Sequence, residues 1–177
     1  KKKDLKPFEG FVHRTFNGKD AVFFMQALQL LYTKHGGLEN AFAGNFEGDD
    51  FSLKHRIVQF RHLFLSAAHL PRSEKHLSDP SSNSSAKRLC MYLRWMVRKD
   101  AKGVDFGIWQ KIRASELCLP LDVHTGFVSR NLGLLQRKQN DWKAVEEITT
   151  VLRSLDPLDP IKYDFALFGL GLEKALK

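Results

Sequence analysis

Seven histidines, two cysteines and a scatter of lysines and carboxylates are the side chains of this 177-residue chain that can do chemistry. His55, His62, His69 and His76 recur every seven residues. In a helix that spacing separates neighbours by about 10.5 Å along the axis, too far for one ion, and helical ligand pairs need a spacing of three or four. Pro71 also stops the helix before His76, so these histidines read as a polar helix face. Cys90 lies beside Leu89 and Met91, and Cys118 between Leu117 and Leu119. Neither has an adjacent His or a Cys-x-x-Cys partner, so both read as core cysteines rather than thiol nucleophiles. No phosphate-binding glycine loop, His-Glu-x-x-His or Gly-x-Ser-x-Gly occurs, which removes the commonest nucleotide-dependent, zinc-peptidase and esterase chemistries. No metal or other cofactor is expected. Three segments remain: the turn leading to Lys87, Leu119-Pro120-Leu121-Asp122-Val123-His124, and Tyr163 to Gly171.

The elements that must position these segments read as helices. Asp20 precedes a nearly all-apolar run from Ala21 to Tyr32, which Gly36-Gly37 ends. A short helix follows around Leu38–Phe42, then a loop from Gly44 to Asp50. Ser52 opens a helix running to about His69. The polar connector from Arg72 to Ser85 holds Asp79-Pro80-Ser81-Ser82-Asn83-Ser84-Ser85, a turn-forming cluster. A strong helix spans Ser85 to Arg98, with Lys87, Met91, Arg94 and Arg98 on one face. Asp100 to Pro120 is irregular, apart from one helical turn around Trp109–Ile112. Asp122 caps a helix Val123–Leu135, Asp141 caps one from Trp142 to Leu155, and Asp159-Pro160 opens the last, from Ile161 to about Leu176. No run alternates long enough for a strand. The expectation is an all-α domain of seven or eight helices over residues 1–177, with two lobes at about 1–70 and 71–177.

Hydrophobic residues make up 43% of the chain and aromatics 11%, enough for a core and too much for intrinsic disorder. No stretch approaches the roughly 18–20 apolar residues of a membrane span. The chain opens Lys1-Lys2-Lys3-Asp4 without an initiator Met or an apolar leader, so a cytoplasmic fragment of a longer protein is expected. Net charge is +8, and residues 51–100 alone carry ten basic against three acidic side chains. A concentrated basic region suits a polyanion, above all nucleic acid; it also suits a face kept charged for solubility.

Ala86 to Arg98, Val104-Asp105-Phe106-Gly107-Ile108-Trp109, Pro120 to His124 and Lys162 to Gly171 resemble an uncharacterised bacterial domain family. A more distant likeness carries chemistry. Pro120-Leu121-Asp122-Val123-His124 followed by Phe127-Val128-Ser129-Arg130-Asn131-Leu132-Gly133-Leu134 is similar to the Val-Asp-x-His…Arg-x-Leu-Gly segment of helix-hairpin-helix DNA glycosylases, the superfamily of endonuclease III and the oxidised-guanine glycosylases. In that superfamily the Asp is the catalytic carboxylate, and a Gly-x-Gly-x-Lys hairpin upstream supplies the nucleophilic lysine of its bifunctional members. Asn83-Ser84-Ser85-Ala86-Lys87 holds the comparable place here, and Tyr163 to Gly171 is similar to the late Gln-Ala-Leu-x-x-Leu-Gly helix.

The likeness implies a base-excision enzyme acting on damaged duplex DNA. Asp122 would stabilise the positive sugar, and Lys87, its neutral amine favoured by Arg88, Arg94 and Arg98, would form a Schiff base. Ser84, Ser85, Arg88, Arg94, Arg98 and Lys99 would hold phosphates. His124, Tyr163 and Asp164 would line the pocket, and Phe8, Phe11, Phe16 or Trp109 would stack on the extruded base. Three departures stand beside this: no glycine in the hairpin, a longer segment between Lys87 and Asp122, and no iron–sulfur tail. The same residues have plainer roles, Asp122 as a helix N-cap and Lys87 as a solvated first-turn lysine. Two other classes therefore stay open, a non-catalytic nucleic-acid-binding domain of the same fold and a helical protein-interaction module.

Overall fold

The computed structural model describes residues 2–44, 52–101 and 103–172. It is mostly helical, with eight α-helices among the described residues. By their contacts these residues gather into two compact units, one drawn from Lys1–Phe51 and His55–Ser78, the other from Ser52–Lys54 and Asp79–Lys177. No helix among the described residues is long and apolar enough to cross a membrane. The loop expected at Gly44 to Asp50 lies almost wholly outside the described residues.

The first unit opens with α1 (Lys2–Leu5) and a 3₁₀ turn, Lys6–Phe8. A two-residue antiparallel pair comes next, β1 (Val12–His13) and β2 (Phe16–Asn17), with Val12 opposite Asn17. Such a hairpin is too short to leave an alternating pattern in the sequence. It delivers the chain into α2 (Gly18–Lys34), which starts earlier than expected because Asn17, not Asp20, is its cap. The Asn17 side chain accepts from the amides of Lys19 and Asp20, while Asp20 Oδ2 accepts from the Asn17 amide at 2.9 Å. Gly18 is required at this entry, since a Cβ there would lie 1.9 Å from the Glu9 carbonyl oxygen. The other oxygen of fully buried Asp20 accepts from the Ser73 hydroxyl at 2.6 Å. Burial pushes the Asp20 carboxyl up, but Ser73, Asn17, Arg72 and His76 outweigh it and hold it below its ordinary value.

α3 (Leu38–Ala43) and α4 (Leu53–Leu65) complete the first core. Phe42 stacks on Phe60 with centroids 3.9 Å apart, and Phe23 meets Phe64 edge-on. α4 ends at Leu65, short of His69, and the Ser66 hydroxyl folds back on the Leu63 carbonyl at 2.7 Å. The His69 ring, now off the helix, sits 2.7 Å from the Ala67 carbonyl oxygen.

The second unit holds α5 (Lys87–Val97), α6 (Val123–Asn131), α7 (Trp142–Leu155) and α8 (Asp164–Leu172). α7 buries Trp142, Val145, Ile148 and Leu152 on one face; Leu155, which the same spacing adds to the stripe, is exposed at the helix end. α6 is one turn shorter than its pattern suggests: Gly133 adopts a positive φ of 72° and turns the chain away. The irregular stretch before it contains a 3₁₀ turn at Ala114–Glu116, and not at Trp109–Ile112. The Asp159 side chain makes no capping bond; it pairs with Arg98, and a 3₁₀ turn, Pro160–Tyr163, precedes α8.

Asp141 does more than cap α7. One oxygen accepts from the Ala144 amide at 3.1 Å, the other from Asn83 Nδ2 at 2.9 Å, and Arg137 binds both. Arg137 is the largest reason its carboxyl lies far below the usual range. Asp141→Ala is therefore expected to cost about 2 kcal/mol, the upper end for a cap, measured by urea unfolding. A loss near zero would mean that the link to Asn83 is incidental.

Candidate functional site

The turn in front of Lys87 is built from polar side chains. Asp79 accepts from the Ser81 amide at 2.9 Å and its hydroxyl at 2.6 Å, fixing the 3₁₀ turn Pro80–Ser82. Asn83 then takes a left-handed conformation, φ 66° and ψ 18°, which asparagine tolerates better than most residues. Ala86 is left-handed as well, and α5 starts immediately after it. The turn is tied to the start of α7 by the Asn83–Asp141 side-chain bond and by the Trp142 amide on the Asn83 carbonyl at 3.1 Å.

Lys87 Nζ donates to Asp122 Oδ2 at 2.7 Å. Asp122 caps α6 with its other oxygen, which accepts from the Thr125 amide at 2.9 Å and from the Thr125 hydroxyl at 3.1 Å. One carboxylate thus caps α6 with one oxygen and holds Lys87 with the other. The side chains are 39% and 14% exposed, so the lysine is reachable and the carboxylate is sheltered. Burial pushes the Asp122 carboxyl up; Lys87 and Thr125 reverse this and keep it below its ordinary value, hence ionised at neutral pH.

The pair borders a cavity of about 120 Å³. Lys87, Asp122, Thr125 and Asp164 are its polar lining, and Met91, Pro120, Phe165 and Phe168 its apolar lining. Lys87 and Met91 stand one turn apart on α5, and Phe165 and Phe168 stand three apart on α8. Asp164 is only 8% exposed. Burial pushes its carboxyl up, and Arg94 opposes this without cancelling it.

The basic face of α5 is turned differently from the expectation. Arg94, 2% exposed, bonds Asp105 through Nε at 3.3 Å and Nη2 at 3.2 Å, and Asp164 through Nη1. Arg98 bonds Asp105 at 2.6 Å and Asp159 at 2.9 Å. Both guanidiniums are committed to carboxylates and are not presented to a phosphate. Neither is the ion-pair partner of Lys87, which is paired with Asp122. Arg88 and Lys99 are exposed, and neither forms an ion pair among the described residues. The Ser84 amide is already donated to the Asp79 carbonyl at 3.1 Å, and the Ser84 hydroxyl receives the Ala86 amide at 3.3 Å. Ser85 is half-buried at the same turn.

Of the other pocket candidates, only Asp164 lines the cavity. His124 is exposed and packs edge-on against Phe168, with centroids 5.9 Å apart. Tyr163 is half-buried, with the Lys162 ammonium 5.2 Å over its ring. Trp109 is buried against Tyr92, and Phe8, Phe11 and Phe16 belong to the first unit. Sequence reasoning missed Met91, Thr125, Phe165 and Phe168 as lining residues; the spacing of four from Lys87 to Met91 and of three from Asp122 to Thr125 are the signals that carry two of them. Cys90 and Cys118 are both buried, and burial drives each thiol up, Cys118 to about 11. No group of three or more His, Cys, Asp or Glu is placed to hold a metal among the described residues.

Fold and site together define a helical protein whose small cavity carries a lysine–aspartate pair, each member opening or capping a helix. The chain belongs to the protein family of unknown function DUF2400, whose profile matches residues 1–173. Comparison with curated proteins and with solved structures returns no match.

Proposed function

We propose that this protein is a helix-hairpin-helix DNA glycosylase with abasic-site lyase activity, acting on damaged duplex DNA. The observation that carries the reading is the 2.7 Å contact between Lys87 Nζ and Asp122 Oδ2 at the edge of the cavity. These are the two residues that the likeness to the glycosylases singles out, and 35 positions of sequence separate them. The left-handed turn at Asn83, immediately upstream of α5, supports the hairpin assignment. One departure is that this turn is entered from a 3₁₀ turn rather than from a helix.

The chemistry derives from the pair. An extruded nucleotide presents C1′ to both side chains. One ammonium proton of Lys87 passes to Asp122 Oδ2, its hydrogen-bond partner, and on to the leaving base. The C1′–N bond breaks and its electron pair departs with the base. Asp122, ionised again, faces the positive sugar carbon and stabilises it. The neutral amine adds to C1′, the C1′–O4′ bond opens, a proton moves from nitrogen to O4′, and a protonated Schiff base remains. Arg88, Lys99 and the Ser85 region are the phosphate contacts this reading retains.

Borohydride trapping on a duplex with a single abasic site tests it. The expected result is a covalent adduct that disappears in Lys87→Ala. An adduct that survives Lys87→Ala moves the nucleophile elsewhere. No adduct, with binding that weakens steeply with salt, leaves a monofunctional glycosylase resting on Asp122 alone, if base release is seen, or a nucleic-acid binder, if it is not; binding indifferent to salt leaves a protein-interaction module.

A further inference from the structure

Lys87 and Asp122 stand 35 positions apart in the chain and meet through a single contact at 2.7 Å. A lysine on its flexible stem follows a carboxylate that moves, so this contact by itself does not fix where the pair stands relative to C1′. Three consecutive residues make the firmer connection. Asn140 Nδ2 donates to the main-chain carbonyl of Asp122 at 3.0 Å. Asp141 accepts from Asn83 Nδ2 at 2.9 Å, and the Trp142 amide donates to the Asn83 carbonyl at 3.1 Å. One short stretch of chain thus grips both the cap of α6 and the turn that opens α5. Asn140 is itself held. Its Oδ1 accepts from Arg130 Nη2 at 2.7 Å, and Arg130 Nε donates to the Arg137 carbonyl at 2.8 Å. Gly126, one turn along α6 from Asp122, leaves the room for this. A Cβ there would lie 2.6 Å from Asn140 Oδ1 and 3.1 Å from its Nδ2. The φ of Gly126 is not positive, so close approach and not backbone conformation requires glycine.

The side chain suits the task. A donor for a carbonyl and an acceptor for a guanidinium are needed on one short group, and the asparagine amide carries both. Asn140 is exposed and lies outside the cavity lining, so it acts on the site only through Asp122. We infer that Asn140 is a positioning residue for the Lys87–Asp122 pair. Through the Asp122 carbonyl it sets the carboxylate in one frame with the turn before Lys87, and the rate of attack at C1′ depends on that frame. This rests on the glycosylase reading. Reacting atoms must stand about 3–3.5 Å apart, and a misplacement of about 1 Å costs roughly 100-fold in rate. The Asp122 carbonyl also accepts from the Gly126 amide at 2.9 Å. The first turn of α6 therefore survives the loss of Asn140, and only the frame loosens.

The test is borohydride trapping by the full chain on a duplex with one abasic site, followed as a single-turnover time course. Asn140→Ala and Asn140→Asp both remove the donor, and the second keeps an acceptor for Arg130. Both are expected to slow trapping by about 10–100-fold, with final adduct yield and duplex affinity within about threefold of wild type. A residue that merely supports the fold lowers the yield, through loss of folded protein, and leaves the rate constant alone. Gly126→Ala displaces the same amide without altering it and is expected to slow trapping as well. Added to Asn140→Ala it should cost nothing further, because both act through one contact. Unchanged rate constants in both Asn140 variants, or a fall in yield alone, overturn the positioning role while wild-type trapping still stands for the glycosylase reading. Slowing in Asn140→Asp alone traces the effect to the added charge and overturns it too. No adduct with the wild-type protein overturns the lyase reading and this role with it. Should the Asn140 variants fail to fold, Gly126→Ala decides: wild-type kinetics there overturn the assignment.

Discussion

Asp122→Asn is expected to slow base release by about 10²–10³-fold and to leave the fold standing, the range seen when one preorganised electrostatic group is lost from a site of developing charge. The variant separates the two roles of this side chain. Asparagine is as good an N-cap as aspartate, so the hydrogen bonds of the Asp122 Oδ1 position to Thr125 can persist. What disappears is the negative charge beside Lys87. Its ion pair is partly exposed on the lysine side, and such a pair contributes about 1 kcal/mol or less. Single-turnover release, duplex affinity and urea unfolding should be read on the same preparation. Release that falls alone assigns the carboxylate to chemistry. Affinity and stability that fall together with release would return Asp122 to the plainer role of a cap.

Arg94→Ala should destabilise the second unit by about 3–5 kcal/mol, because removing one partner of a buried ion pair leaves an uncompensated charge behind. Two carboxylates lose it at once. Arg98 still reaches Asp105, but nothing else among the described residues bonds Asp164. Arg94→Lys should recover little, since a single ammonium cannot span Asp105 and Asp164 as the planar guanidinium does. All three tryptophans, Trp95, Trp109 and Trp142, lie in this unit, so fluorescence-detected urea unfolding reports on it directly. A loss below about 1 kcal/mol would show that the network is better solvated than its 2% exposed guanidinium implies.

The contrast between Arg94 and Lys87 shows what a sequence carries and what it withholds. Periodicity places Lys87, Met91, Arg94 and Arg98 on one face of α5. Whether that face meets solvent or carboxylates depends on Asp105, Asp159 and Asp164, up to 70 positions away. Local signals for helix ends were legible where one residue decides the matter: Asp141 as a cap and Gly36-Gly37 as a terminator, whereas α4 ends at Leu65, well before Pro71. They misled where two candidates compete, as Asn17 and Asp20 do at the start of α2. There Asn17 takes the cap, and Asp20 accepts from the Asn17 amide with one oxygen and from Ser73 with the other. The pairing of Lys87 with Asp122 was not legible, because no local pattern relates residues on separate helices. Phe165 and Phe168 read as ordinary apolar positions of a helix, and only their neighbours make them walls of a cavity.

The tie between Asn83 and Asp141 carries a consequence for how the chain acquires its site over time. The turn that sets Lys87 is closed by a partner 58 residues downstream, the lysine by one 35 downstream, and Arg94 by one 70 downstream. Closing loops of that length is entropically uphill until the contacts at their ends form, so these three closures are slow events relative to the growth of any single helix. On a ribosome, α5 emerges with Arg94 lacking Asp164 and with the turn before Lys87 unlatched from Asp141, and the cavity lining is complete only once α6 and α8 have left the exit tunnel. A partly made chain that ends before α6 therefore holds Lys87 without Asp122, without Asp164 and without the Asn83–Asp141 tie.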